Sequence, residues 1–274
     1  MSDKEATKEE HQMSFLEHLE ELRWHLIRSV IAIMVFAIMA FIFYDFIFNV
    51  LILAPKNPEF FTNRMFFRFS EYIGIESLKI NTHPFQVINI NMAGQFATHI
   101  SVSFVIGIIA SFPYIFYEFW SFLKPALYDN EKKHARGSIF YTSFLFALGI
   151  LFGYYLITPL SVHFLGSYSV SDQVLNQINL TSYISSITSI VLASGVIFEL
   201  PVLIFFLSKI GLVSPEFLKK YRKHSVVLIL ILSAIITPPD IFSQVLVCLP
   251  LILLYEIGIT ISKRVQKNQQ ANLE

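Results

Sequence analysis

An all-α membrane protein with six transmembrane helices, the fifth and sixth short, and both termini cytoplasmic, is the fold class this sequence predicts. Three observations predict it. Of its 274 residues 54% are hydrophobic and only 15% charged, against the roughly 45–50% apolar and about 25% charged usual for a soluble domain. Apolar runs recur at lengths that suit a bilayer, and Lys and Arg gather in alternate loops. The 28 Phe and 12 Tyr also exceed what a soluble core of this size buries without exposing patches, and they suit lipid and its aromatic belts.

A helix needs about 20 apolar residues to cross the roughly 30 Å hydrocarbon core. Runs of that order lie at about 26–48, 95–122, 138–163 and 183–208, and shorter ones at 225–237 and 242–261. The fifth run stops at Pro238-Pro239, so the last two read as a hairpin that thins the bilayer locally. Placing the N-terminus in the cytoplasm puts sixteen of the twenty Lys and Arg on that side. The other side keeps only Lys56, Arg64, Arg68 and Lys79, all in the first external loop. Both termini are then cytoplasmic and the span number is even. The expected organisation is a tail over 1–25 with an amphipathic helix, a membrane domain over 26–261, and a cytoplasmic tail over 262–274. The polar first 25 residues lack the order of a cleaved signal peptide, so the first span is expected to stay in the mature protein.

Helix starts are legible in several places. Ser14 followed by Glu17 predicts a capping box, and Phe15, Leu19, Leu22 and Leu26 make one apolar stripe on the helix that runs into the first span. Thr181 is expected to cap the fourth span. Ser214-Pro215-Glu216 combines a capping Ser, a first-turn Pro and an acid at the positive end of the dipole. The loop from Leu51 to Gly94 is long and holds Phe60, Phe61, Phe66, Phe67 and Phe69. Such a loop is expected to have structure of its own, packed on the spans or set at headgroup level.

The chemistry these residues exclude is as informative. A net charge of zero gives nucleic acid no electrostatic footprint. No phosphate loop, His-Glu-x-x-His, Cys cluster or Gly-x-Ser-x-Gly is present, so neither metal, cofactor nor covalent catalysis is expected. Cys248, the sole cysteine, reads as packing, and His99 as a hydrogen-bonded contact between helices. Glu118 and Glu256, near span ends, are expected to reach toward the interface. Glu199 sits near the middle of the fourth span, where an ionised carboxylate costs at least about 2.5–3.5 kcal/mol. It must face protein or water. At the cytoplasmic face, acids on the N-terminal helix (Glu20, Glu21) and in the loop after the second span (Glu131) could each accept a guanidinium fork, which Lys cannot imitate.

Several motifs together resemble one family, TatC, the multi-spanning subunit of the twin-arginine translocase. They are Phe15-Leu-Glu-His18-Leu-Glu-Glu21-Leu-Arg23, Trp120-x-Phe122-x-x-Pro125-Ala-Leu-Tyr128-x-x-Glu131 and Phe198-Glu199-Leu-Pro201. Ser214-Pro-Glu216, Thr237-Pro238-Pro239-Asp240-x-Phe-Ser243-Gln244 and Tyr255-Glu256-Ile-Gly258 continue the series in order. The resemblance implies a multi-pass protein of the bacterial inner membrane that binds twin-arginine signal peptides of folded cargo. It further implies assembly with small single-span TatA- and TatB-class subunits, self-association in the complex, and transport driven by the proton-motive force. Position by position, Glu21 and Glu131 would contact the two signal arginines, with Phe122, His18, Arg23, Pro125 and Tyr128 shaping that surface. Glu199 would face a membrane cavity, and Thr237, Pro238, Pro239, Asp240 and Gln244 would dock a partner helix. Trp24-His25 departs from the further basic residues many members carry after Arg23. The alternative from another class is a proton- or ion-coupled secondary transporter of a small solute built on Glu199 and His99.

Overall fold

The structure, a computed structural model, describes residues 15–76, 79–82, 85–123, 135–171, 173–174, 176–237 and 241–271. Among them, five helical stretches are long and apolar enough to cross a bilayer: Leu19–Ile42, Gly94–Phe122, Gly137–Ser167, Leu180–Lys209 and Ser243–Gln270. With no Pro or Gly between Phe15 and Ile42, α1 (Phe15–Ile42) joins the expected amphipathic segment and the first span in one helix. Ser14 of the expected capping box lies outside the described residues. A π-helical turn (Ile47–Ile52) and a 3-10 turn (Ala54–Lys56) lead to α2 (Phe61–Ile73). Gly74 closes α2 in the left-handed region at φ 78°, which only glycine adopts freely, and its N–H returns to the Ser70 carbonyl.

The second long helix is α3 (Gly94–Leu123). Next, α4 (Ala135–Phe152) continues through a π-helical turn (Gly153–Ile157) into α5 (Thr158–Ser167). The fourth membrane stretch is two helices, α6 (Leu180–Phe198) and α7 (Leu200–Lys209). A short α8 (Pro215–Lys220) precedes α9 (Arg222–Ile236) and α10 (Ile241–Ala271). The segment between α1 and α3 is tied down by β1 (Val87–Ile88), which pairs in parallel with β2 (Ile178–Asn179).

Three expectations change. The fourth span is capped by Asn179, not Thr181. Asn179 has the extended backbone a cap needs, and its side-chain oxygen accepts the Thr181 N–H at 2.8 Å. The last helix is not short: α10 has 31 residues and runs on past Ile261 through a polar end, since a helix does not stop where lipid does. Glu118 is buried rather than reaching for the interface. By contrast α9 is short, its 15 residues rising roughly 22 Å.

Small residues set a close helix contact. Gly149 on α4 and Gly153 at the start of the π-helical turn oppose Ser194 and Gly195 on α6, and a Cβ on Gly149 would come within 2.6 Å of the Ser194 carbonyl oxygen. This is the small-xxx-small packing of membrane helices. One buried cluster (Phe198, Ile204, Leu218, Ile229, Val247, Leu251, Tyr255) joins α6 through α10. Cys248 is free and buried in that cluster. A second cluster (Ala40, Ile52, Val102, Val162, Tyr183, Ile187) joins the end of α1 to α3, α5 and α6.

Candidate functional site

Two ladders of residues one helical turn apart face each other where α1 crosses the end of α3. On α1, Glu21, His25 and Arg28 share one face, and on α3 Tyr114, Glu118 and Phe122 share another. Glu118 is 3% exposed and His25 8%. The Nδ1 of His25 lies 2.5 Å from Glu118 Oε2, and Arg28 Nη1 donates to the same oxygen at 3.2 Å. The Tyr114 hydroxyl is a further partner. A buried carboxylate left alone would cost several kcal/mol, so these groups explain why Glu118 can sit here.

Glu21 differs. Its Oε1 is 4.0 Å from His25 Nε2, but its Oε2 is buried with no hydrogen-bond partner among the described residues. Two carboxylates against one guanidinium leave a net negative charge when the imidazole is neutral. The ring of Phe122 sits edge-on to His25 at 6.1 Å between centroids, which brings it one helical turn from Glu21. Arg23 is exposed, its guanidinium 5.6 Å over the Trp24 ring. Trp120 is buried against Phe206, 5.4 Å between centroids, and ties this end of α3 to α7. The His18 side chain, Pro125, Tyr128 and Glu131 lie outside the described residues.

Sequence reasoning missed His25, Arg28, Tyr114 and Glu118 as a unit. The i, i+4, i+7 spacing of Glu21, His25 and Arg28 was the available signal, but nothing local links that face to Glu118, 93 residues from His25.

A second carboxylate lies deep in the bundle. Glu199 is the joint between α6 and α7, at φ −76° and ψ −2°. Pro201 has no N–H to give the Ile197 carbonyl, and the Glu199 N–H takes that carbonyl and the Val196 carbonyl instead. Both carboxylate oxygens are buried and unpartnered among the described residues. His99 sits elsewhere: its Nε2 is 3.0 Å from the Phe41 carbonyl, and its ring stacks on Phe41 at 3.9 Å between Tyr44 and Phe48. Glu199 and His99 therefore do not form one ion site.

At the other residues singled out, Thr237 is buried and donates to the Ser233 carbonyl at 2.7 Å. Gln244 Nε2 donates from α10 to the Leu230 carbonyl of α9 at 3.2 Å. Pro238, Pro239 and Asp240 lie outside the described residues. Arg222 and Glu256 pair at 2.6 Å and join α9 to α10. At the start of α8 the Ser214 hydroxyl accepts the Phe217 N–H at 3.2 Å as expected. Glu216, at that N-terminus, is held below the usual carboxylate value first by its own backbone N–H and then by Ser214.

The bundle, with five helical stretches long and apolar enough to cross a bilayer, defines a polytopic helical membrane protein. A family model described as "Sec-independent protein translocase protein (TatC)" matches residues 17–250. The chain belongs to the TatC family. It is 42% identical to the "Sec-independent protein translocase protein TatC" of a Blattabacterium species, over 95% of this chain and 99% of that one. It is also 42% identical to the TatC of Helicobacter pylori, over 63% of this chain and 69% of that one. A crystal structure described as "Twin Arginine Translocase Receptor- TatC in DDM" superposes with a TM-score of 0.68 at 32% identity, covering 90% of this chain and 99% of that chain.

Proposed function

We propose that this chain is the twin-arginine signal-peptide receptor and core subunit of a translocase that carries folded proteins across the bacterial inner membrane. The observation that carries the reading is the Glu21 carboxylate, which keeps a buried oxygen with no partner among the described residues beside a Glu118 whose own charge is already answered. An Arg guanidinium entering there finds a charge-assisted acceptor and the Phe122 and His25 rings to stack on. In this reading Glu131 takes the second arginine, and His18, Arg23, Pro125 and Tyr128 complete the surface.

The topology proposed with it has six spans, α9 being the short fifth, and both termini in the cytoplasm, following the distribution of Lys and Arg. Glu199 lines a membrane cavity, and the segment Thr237 to Gln244 docks a single-span partner of the TatA or TatB class. Mechanism is binding and assembly, with the proton-motive force driving transport. The test is binding of a peptide with two consecutive Arg to the protein in detergent or nanodiscs. Glu21→Ala and Glu131→Ala should each weaken it, and a Lys-Lys peptide should bind poorly to the unaltered protein. Equal binding of both peptides, or indifference to the two substitutions together, would sink the receptor reading.

A further inference from the structure

Helix α2 is built inside out. Its buried residues are Thr62, Asn63, Phe66 and Ser70, three of them polar. Facing outward are Phe61, Met65, Phe69 and Tyr72, exposed at 61%, 47%, 53% and 90%. At the pitch of an α-helix those four fall within one sector of about 80°. The inward groups are satisfied: the Thr62 hydroxyl donates to the Tyr155 carbonyl, and Ser70 Oγ donates to the Ile75 carbonyl at 2.6 Å. The Asn63 amide donates to the carbonyls of Pro55 and Asn57 at 2.9 and 2.7 Å. Turning the helix over would orphan all of these groups, so the apolar stripe is held outward. Arg64 and Arg68, one turn apart and both exposed, flank it together with Glu71.

Two further observations say what the stripe meets. Phe61 lies edge-on to Tyr155, 6.2 Å between centroids. Tyr155 is itself exposed, and Phe144, Leu148 and Leu151 extend the exposed face along the same membrane stretch. The stripe is therefore continuous with a lipid-facing helix surface. If hydrocarbon begins near Ser138, about 20 residues at 1.5 Å each bring that helix to its far boundary near Ile157. Tyr155, and α2 across it, then sit at headgroup level, at the end of the bundle opposite Glu21. Apolar aromatics on one face with Arg beside them are what an interfacial helix presents to a leaflet.

We propose that α2 is an interfacial membrane anchor: Phe61, Met65, Phe69 and Tyr72 enter the leaflet opposite the Glu21 end, and Arg64 and Arg68 pair with lipid phosphates. The test is site-directed spin labelling of the whole chain in nanodiscs, with Cys248→Ala as background and single Cys at 65, 69, 72 and 71. All four positions are exposed, so labels there leave the packed face intact. Labels at 65, 69 and 72 should collide several-fold more with oxygen than with a water-soluble nickel chelate, and the label at 71 should show the reverse. Arg64→Gln with Arg68→Gln should move the labels at 69 and 72 toward the aqueous profile. Chelate access at all four positions would overturn the anchor in favour of a helix lying in water. Shielding of 69 and 72 from both reagents would overturn it in favour of a covering protein, a second copy or a partner. Signal-peptide binding, measured on the same samples, reports on the receptor reading separately.

Discussion

The two ends of the molecule solve the problem of buried polarity in opposite ways. At the α1 and α3 end the groups are charged and one acceptor, Glu21 Oε2, has no partner among the described residues. At the other end the central pair is neutral and closed on itself, although Ser161 Oγ and Asn89 Oδ1 nearby have no partner among the described residues. Asn63 and Asn81 are 1% and 6% exposed, and Asn81 Nδ2 donates to Asn63 Oδ1 at 3.1 Å and to the Pro159 carbonyl at 3.0 Å. The Asn81 N–H reaches His163 Nδ1 at 3.2 Å, from a backbone at φ 51° that Asn tolerates. A closed neutral network fixes a scaffold, whereas an open charged one has capacity for a ligand. In the proposed function, the difference separates a structural end from a receiving end.

Substitutions can break that contrast or sharpen it. The largest effect is expected from Glu21→Ala, which should weaken Arg-Arg peptide binding by about 10- to 100-fold while leaving the melting temperature nearly unchanged, as titration and thermal unfolding of one preparation would reveal. Asn63→Ala should do the opposite: the Pro55 and Asn57 carbonyls and the Asn81 amide each lose a hydrogen bond, at a cost of about 1–3 kcal/mol of stability with peptide affinity retained. If Asn63→Ala cost affinity instead, the division between the ends would fail. Gly149→Val, between the two ends, should destabilise by about 1–3 kcal/mol through overpacking on Ser194, again read by thermal unfolding. Ser214→Ala should cost about 1 kcal/mol as a lost cap. The smallest effect concerns Glu216, whose carboxyl is held below the ordinary value of 4.5. Its stabilisation is present above that value and fades as pH falls through the folded one. Glu216→Gln should flatten this acid-side slope and lower neutral-pH stability slightly, toward the low-pH value of the unaltered protein, and a slope unchanged by the substitution would refute that assignment.

The motifs on which the proposed receiving end rests were legible in the sequence because they are local. Glu21 and Phe122 lie in contiguous motifs, and the cap at Ser214 needs only three neighbours. The long apolar helical stretches read well for the same reason, since an apolar run of that length is itself the signal. What did not read was pairing across the bundle. His25 meets Glu118, and Thr62 meets the Tyr155 carbonyl, each across 93 positions, and no short window contains both partners. Asn179 was passed over as a cap because Thr181 looked equivalent on composition, and only the parallel pairing of Val87–Ile88 with Ile178–Asn179 gives Asn179 the extended backbone that decides between them. The end of the last helix was misjudged because hydropathy marks where lipid stops, not where hydrogen bonding stops.

Helix α1 packs chiefly against α3, and that choice of neighbour sets a timetable. The external loop and all of α3 must be synthesised before His25 finds Glu118. At roughly 5–20 residues per second, some 80 residues of further chain take about 4 to 16 seconds. During that interval α1 waits in the membrane without its partner, and the pocket at Glu21 does not yet exist. The charged cluster around Glu118 is thus assembled only after the second membrane helix arrives.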